Sequence, residues 1–134
     1  MSDVSDFLEA KFLEITLKGA AAYNVATPYI AIYTSNPDED NSGTECSYVG
    51  YARQAGTFGT ITDDVATDAK TVSTTLEVNY PILVGSDITV THVGIFDALT
   101  SGNLLYYTVL DTAKSVQTDD VLSFAAGEVT VKID

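Results

Sequence analysis

Thr91–Tyr107, THVGIFDALTSGNLLYY, constrains the fold more than any other stretch. Two runs rich in Val, Ile, Leu, Phe and Tyr, Thr91–Ala98 and Asn103–Leu110, flank a short Leu99–Gly102 turn. Those side chains fit a pleated, half-buried surface. Ser101-Gly102 suits a hairpin turn, because glycine takes positive φ without steric cost. Alternation places Val93, Ile95, Leu105 and Val109 on one face and Phe96, Leu104, Tyr106 and Leu110 on the other. A hairpin apolar on both faces belongs between two layers, or between a core and a partner chain. It is the expected centre of the fold.

The flanking segments supply what such a hairpin packs against. Ser2–Lys18 carries Val4, Leu8, Phe12 and Ile15 at three- and four-residue spacing, which predicts one amphipathic helix. Ser2 or Ser5 can cap its start, acids crowd its first turn, and Lys18-Gly19 suits its end. Phe7, Leu13 and Leu17 make the apolar stripe wider than one sheet covers. The helix therefore either lies across a sheet alone or also docks on a partner.

Pro28–Ser35 alternates as a strand, and Asn36–Ser47 is an acidic turn-rich loop. Tyr48–Thr57 reads as a strand, Ile61–Lys70 as a polar loop, and Thr71–Tyr80 as a strand with one wet side. On that strand Val72, Thr74, Leu76, Val78 and Tyr80 share a face. Short runs at Lys114–Gln117, Val121–Phe124 and Glu128–Ile133 complete about eight strands. The expectation is an all-β protein, an antiparallel sandwich or jelly roll over 28–134 with one N-terminal helix at 2–18. The 134 residues suit a single domain, 1–134.

Charge narrows the partners. Nineteen acids against six bases give a formal net charge of −13. Nucleic acid and anionic membranes bind through clustered Lys and Arg, so neither is an expected partner. No apolar run nears the roughly 18 residues of a membrane span, and the acidic N-terminus does not read as a signal peptide. A soluble protein is expected, and one cysteine, Cys46, excludes an internal disulfide framework.

The residues offer little for catalysis. Asp38-x-Asp40-x-Ser42-Gly43 opens like a calcium loop, but Val49 stands where a bidentate Glu belongs. A weaker surface site among Asp38, Glu39, Asp40 and Glu45 is the remaining alternative. A single His and a single Cys serve zinc poorly. His92 lies in a strand without a serine-nucleophile elbow and reads as a hydrogen-bonded structural residue. Cys46 sits among acids that raise a thiol pKa. We expect no enzyme and no cofactor.

The sole arginine, Arg53, needs a carboxylate if its strand is buried, and Asp97 on the hairpin is the expected partner in a structural ion pair. The alternative is a surface arginine on an acidic protein. Eight tyrosines and no tryptophan point either to strand packing or to a tyrosine-rich contact face. Leu8, Phe12, Tyr106 and Tyr107 are the candidate interface residues.

An ordered set of short motifs resembles a family of small tailed-phage virion proteins, often labelled tail fibre or virion-associated proteins. After the helix come Thr34-Ser35-Asn36-Pro37, a Glu-containing loop, and Tyr51-Ala52-Arg53. Thr91-His92-Val93-Gly94-Ile95-Phe96-Asp97 and Gly102-Asn103-Leu104-Leu105-Tyr106-Tyr107 follow, and Leu122-Ser123-Phe124-Ala125-Ala126-Gly127 precedes a last strand. The resemblance implies a β-rich structural protein on the virion exterior, made in the host bacterial cytoplasm, with no catalytic residues to carry over. A fibre needs a shaft and an anchor that one domain does not provide. The favoured expectation is thus a capsid decoration or cement protein bound to the major capsid protein. A tail fibre or tail-tip module contacting tail proteins, receptor or carbohydrate is the alternative, and a small hydrolase, which needs a cleft with a perturbed titratable group, is a third. The double-sided hairpin and the wide helix stripe predict a homo-oligomer, most naturally a trimer, tightening from low to moderate salt.

Overall fold

The computed structural model describes residues 3–134; Ser2, one of the two expected helix caps, lies outside the described residues. The elements are β1 (Asp3–Val4), α1 (Asp6–Leu17), β2 (Tyr29–Tyr33), β3 (Gln54–Ala55), β4 (Thr62–Asp64), β5 (Ala69–Ser73), β6 (Val78–Asn79), β7 (Ile88–Phe96), β8 (Leu104–Val116), β9 (Ser123–Phe124) and β10 (Thr130–Ile133). Among the described residues the strands group in sheets of five (β1-β8-β7-β2-β3), three (β10-β5-β4) and two (β6-β9), antiparallel throughout. Among the described residues the protein is all-β with a single N-terminal helix, as expected.

The hairpin β7–β8 is indeed central: β2 pairs along β7 from Tyr29↔Phe96 to Tyr33↔His92, and β1 pairs with β8 at Tyr106 and Tyr107. Its residue assignment to faces needs correction. Ile95 pairs with Tyr106 and Val93 with Thr108, but a register shift follows at Phe96, which pairs with Leu104. A one-residue slip moves side chains to the opposite face. Tyr106 and Leu110 therefore join Val93 and Ile95 against the larger core, while Leu104 and Tyr107 join Phe96, Ala31 and Tyr33 in a second buried cluster. Val109, expected inside, is exposed. Both faces of the hairpin are thus largely covered within one chain, which removes the hairpin as an argument for a partner.

The turn explains its own residues. Ser101 and Gly102 take φ of 53° and 73°. A Cβ on Gly102 would come within 2.5 Å of the Asp97 carboxylate oxygen and 2.7 Å of the Ala98 Cβ. Gly102→Ala is therefore expected to lower stability by more than about 1 kcal/mol, measured as a shift in the urea midpoint.

Other expected strands are revised. Tyr48–Thr57 contributes only Gln54–Ala55, and the expected loop Ile61–Lys70 contains β4 and opens β5. Thr71–Tyr80 breaks into β5 and β6 because its backbone changes partners. The Thr74 N–H donates to Val129 O, and the next N–H, of Thr75, to Thr57 O. The expected run Lys114–Gln117 is, up to Val116, the end of β8, which carries four residues, Leu110 to Ala113, opposite Thr91 alone.

α1 starts where expected. The Ser5 side chain accepts from the Leu8 N–H at 3.3 Å, and its hydroxyl donates to Leu104 O while its own N–H donates to Leu105 O. This buried serine both caps the helix and fastens it to β8. Ser5→Ala is expected to cost about 1–2 kcal/mol, through the lost cap and the unpaired helix N–H, read by thermal melting. Among the described residues no helix is long and apolar enough to cross a membrane.

Candidate functional site

Two places concentrate the residues singled out by sequence: a polar knot around Arg53 and an apolar groove beneath α1.

The knot corrects the expected ion pair. Arg53 is buried, but it pairs with Glu45, not Asp97: Nε and Nη2 donate to the two Glu45 oxygens, each at 2.9 Å. Nη1 donates to Ala98 O at 3.0 Å and Ser101 O at 2.6 Å, and the guanidinium lies 3.5 Å from the Phe96 ring centroid. The planar fork thus holds the hairpin turn by its carbonyls while its charge is met by the loop after β2. The Tyr51 hydroxyl donates to Glu45 Oε1 at 2.8 Å. Asp97 instead accepts from the Asn103 N–H at 2.7 Å, the Asn103 amide at 2.9 Å and the Tyr23 hydroxyl at 2.6 Å. Burial pushes the Asp97 carboxyl up, and these donors outweigh it, leaving it below its ordinary range. Every group in the knot has a structural partner.

The remaining chemical candidates are placed as follows. Burial first, and Glu45 second, push the Cys46 thiol up to about 11, so it is not a thiolate near neutrality. His92 Nδ1 and Thr91 Oγ1 share a hydrogen bond of 2.8 Å, and burial lowers the imidazole pKa against the pull of Asp38. Glu45 belongs to Arg53, so the acidic loop residues Asp38, Glu39 and Asp40 do not converge with it. Among the described residues no three His, Cys, Asp or Glu side chains gather to hold a metal ion.

The groove has a volume of about 380 Å³. Leu8, Phe12 and Ile15 of α1 form one wall, Ile95, Leu105 and Tyr106 of the hairpin its floor, and Ile61, Val72, Val131 and Ile133 the far wall. Of the four candidate interface residues, Leu8, Phe12 and Tyr106 meet here. Tyr107 does not; it is buried in the second cluster. The groove itself was not legible from sequence, because its far wall comes from β5, β10 and the segment before β4.

Charges around it are paired. Lys11 meets Glu14 at 2.9 Å, Lys70 meets Asp63, and Lys132 meets Asp64 at 2.5 Å. The Lys132 ammonium first, then Thr67 and the Ala66 N–H, hold the Asp64 carboxyl down at about 2. A carboxyl whose folded pKa lies below its unfolded value near 3.9 stabilises the fold above that value and ceases to as pH falls through the folded one. Stability is therefore expected to decline between about pH 4 and about pH 2. Asp64→Asn should flatten that decline in melts across pH.

The all-β fold with one N-terminal helix agrees with the phage fibre and virion class that the ordered motifs resemble. The family model described as Podophage GP4 fiber I protein gp80 matches residues 3–132, and the chain belongs to that family. The ordered motifs thus identify a phage fibre-type family, as their resemblance implied. No curated protein matches the chain significantly.

Proposed function

We propose that the chain is a non-enzymatic structural module of a tailed-phage fibre on the virion exterior, made in the host cytoplasm and assembling with copies of itself and with neighbouring tail proteins. The match to a fibre I protein family across 3–132 is the observation that carries this reading. The raised Cys46 thiol and the bond that ties His92 to Thr91 support a structural role for both residues. The surface, with −13 net charge, favours protein partners over nucleic acid or membrane.

The expectation of a capsid decoration or cement protein rested on the lack of a shaft in one domain. That argument concerns the extent of the chain and says nothing of its address, whereas the family description favours the fibre. Quantitative mass spectrometry of purified virions tests the reading. A ratio to the major capsid protein matching the few positions of a tail, with antibody label at the tail, is the expected result. Copies in the hundreds, with label over the head, would replace the fibre by the decoration reading.

A further inference from the structure

We propose that the groove beneath α1 is filled by α1 of a second copy, which inserts the outward ridge formed by Leu13 and Leu17. The inference rests on the self-assembling part of the reading above and not on the address in the virion.

The helix explains why its apolar stripe is too wide. At about 100° per residue, Leu8, Phe12 and Ile15 fall on one side, and Ala10, Leu13 and Leu17 fall on the opposite side. The first set walls the groove. The second faces solvent, with Leu13 58% and Leu17 76% exposed. A surface helix normally has one apolar stripe and one polar face. This one also carries leucines on its outer side, in the last turns and beyond Asp6 of the first turn; Glu9 and Thr16 separate the two sides on one flank, and Lys11 and Glu14, with the half-buried Phe7 between them, on the other.

Ridge and groove are complementary in chemistry and size. An apolar cavity of about 150 Å³ accommodates a benzene ring, so 380 Å³ takes two branched aliphatic side chains. They lie on opposite sides of one helix, so no chain can fill its own groove. A knob and a hole on opposite sides of one molecule make a head-to-tail contact, which propagates until it closes into a ring.

Charge favours a second copy at this place. Two copies with −13 each repel wherever their surfaces are acidic. Among the described residues, three of the five salt bridges lie on the elements bounding the groove: Lys11–Glu14, Lys70–Asp63 and Lys132–Asp64. In these pairs opposite charges cancel locally, which lowers the repulsion an apolar contact must overcome there. Repulsion from Asp6 first, then from Glu9, Asp38 and Asp3, pushes the Glu39 carboxyl up. The two helix members of this acidic cluster, Asp6 and Glu9, lie in the first turn of α1, whereas Leu13 and Leu17 lie in the last turns, so the ridge is offered from the end of the helix away from the cluster.

The test is the solution mass of the intact chain and two variants, by sedimentation and light scattering from low to moderate salt. Wild type should associate, and more tightly as salt screens the net repulsion. A ridge variant, Leu13→Asp with Leu17→Asp, should weaken association by roughly a hundredfold or more. A groove variant, Ile61→Asp with Ile133→Asp, should do the same. Ile61 and Ile133 are exposed enough to change without entering the core; if the double variant unfolds, Ile61→Asp alone carries that arm. Mixed, the two variants should form a one-to-one heterodimer that grows no further, since one ridge and one groove remain intact. A monomeric wild type at high concentration and all salts overturns the proposal. So does either variant keeping the wild-type mass, or a mixture that stays monomeric.

Discussion

Arg53→Met is expected to lower stability by about 3 kcal/mol, or roughly 10 °C in melting temperature for a domain of this size. Methionine keeps the length and apolar stem of the side chain. It removes both bonds to Glu45 and both bonds to the turn carbonyls of Ala98 and Ser101. It also removes the cation over the Phe96 ring. The Glu45 carboxylate would then stand without its counter-ion in a partly buried place, and such a one-sided deletion is the costly kind. The figure sits at the low end for a buried pair because the Glu45 side chain is 25% exposed and water can reach it. Arg53→Lys should recover little, since one ammonium cannot span a carboxylate and two carbonyls in a fixed fork. Asp97→Ala should cost less, about 1–2 kcal/mol, because it removes hydrogen bonds to Tyr23 and Asn103 and leaves no buried cation behind. Thermal melts in which Asp97→Ala loses more stability than Arg53→Met would show that the hairpin turn is held from Asp97 after all.

That pair of residues shows where sequence reasoning reaches and where it stops. A lone arginine, if buried, needs a carboxylate, and that partner was expected on the hairpin, where Arg53 does hold the turn carbonyls of Ala98 and Ser101. The choice of Glu45 was not legible. It depends on the loop after β2 folding back so that the Cys46 N–H donates to Ile32 O, bringing Glu45 opposite Tyr33. No local pattern encodes that return.

The hairpin and the helix were legible because each has a period, two for the strands and 3.6 for the helix. The faces of β8 were misassigned because the register shift at Phe96 adds a residue that alternation does not show. The helix stripe was read as too wide for one sheet. The structure gives that width its physical form, with Leu13 and Leu17 exposed on the side opposite Leu8, Phe12 and Ile15. The groove needed three distant segments and could not be seen in any one of them.

The contrast between Tyr80 and Leu76 carries the second large effect. Both occupy the same alternating face in Thr71–Tyr80, and a pattern alone assigns them equal burial. Tyr80→Ala is nevertheless expected to cost about 3–5 kcal/mol, and Leu76→Ala less than about 0.5 kcal/mol. Tyr80 is 2% exposed, stacks on Tyr51 with ring centroids 6.2 Å apart, and meets the edge of Phe124 at 6.2 Å. Its hydroxyl donates to Ile30 O at 2.8 Å, linking the β6 side of the core to β2. Leu76 is 62% exposed, because the strand breaks just before it. Tyr80→Phe separates the two parts of the Tyr80 effect. It keeps the ring and leaves Ile30 O without this donor, for about 1–2 kcal/mol. Burial pushes the Tyr80 phenol well above its ordinary range, so it remains a donor through neutral and mildly alkaline pH. The difference between wild type and Tyr80→Phe should then hold constant from neutral to mildly alkaline conditions in urea melts. A difference that shrinks as pH rises would mean the hydroxyl titrates, and with it that the centre of this core is open to water.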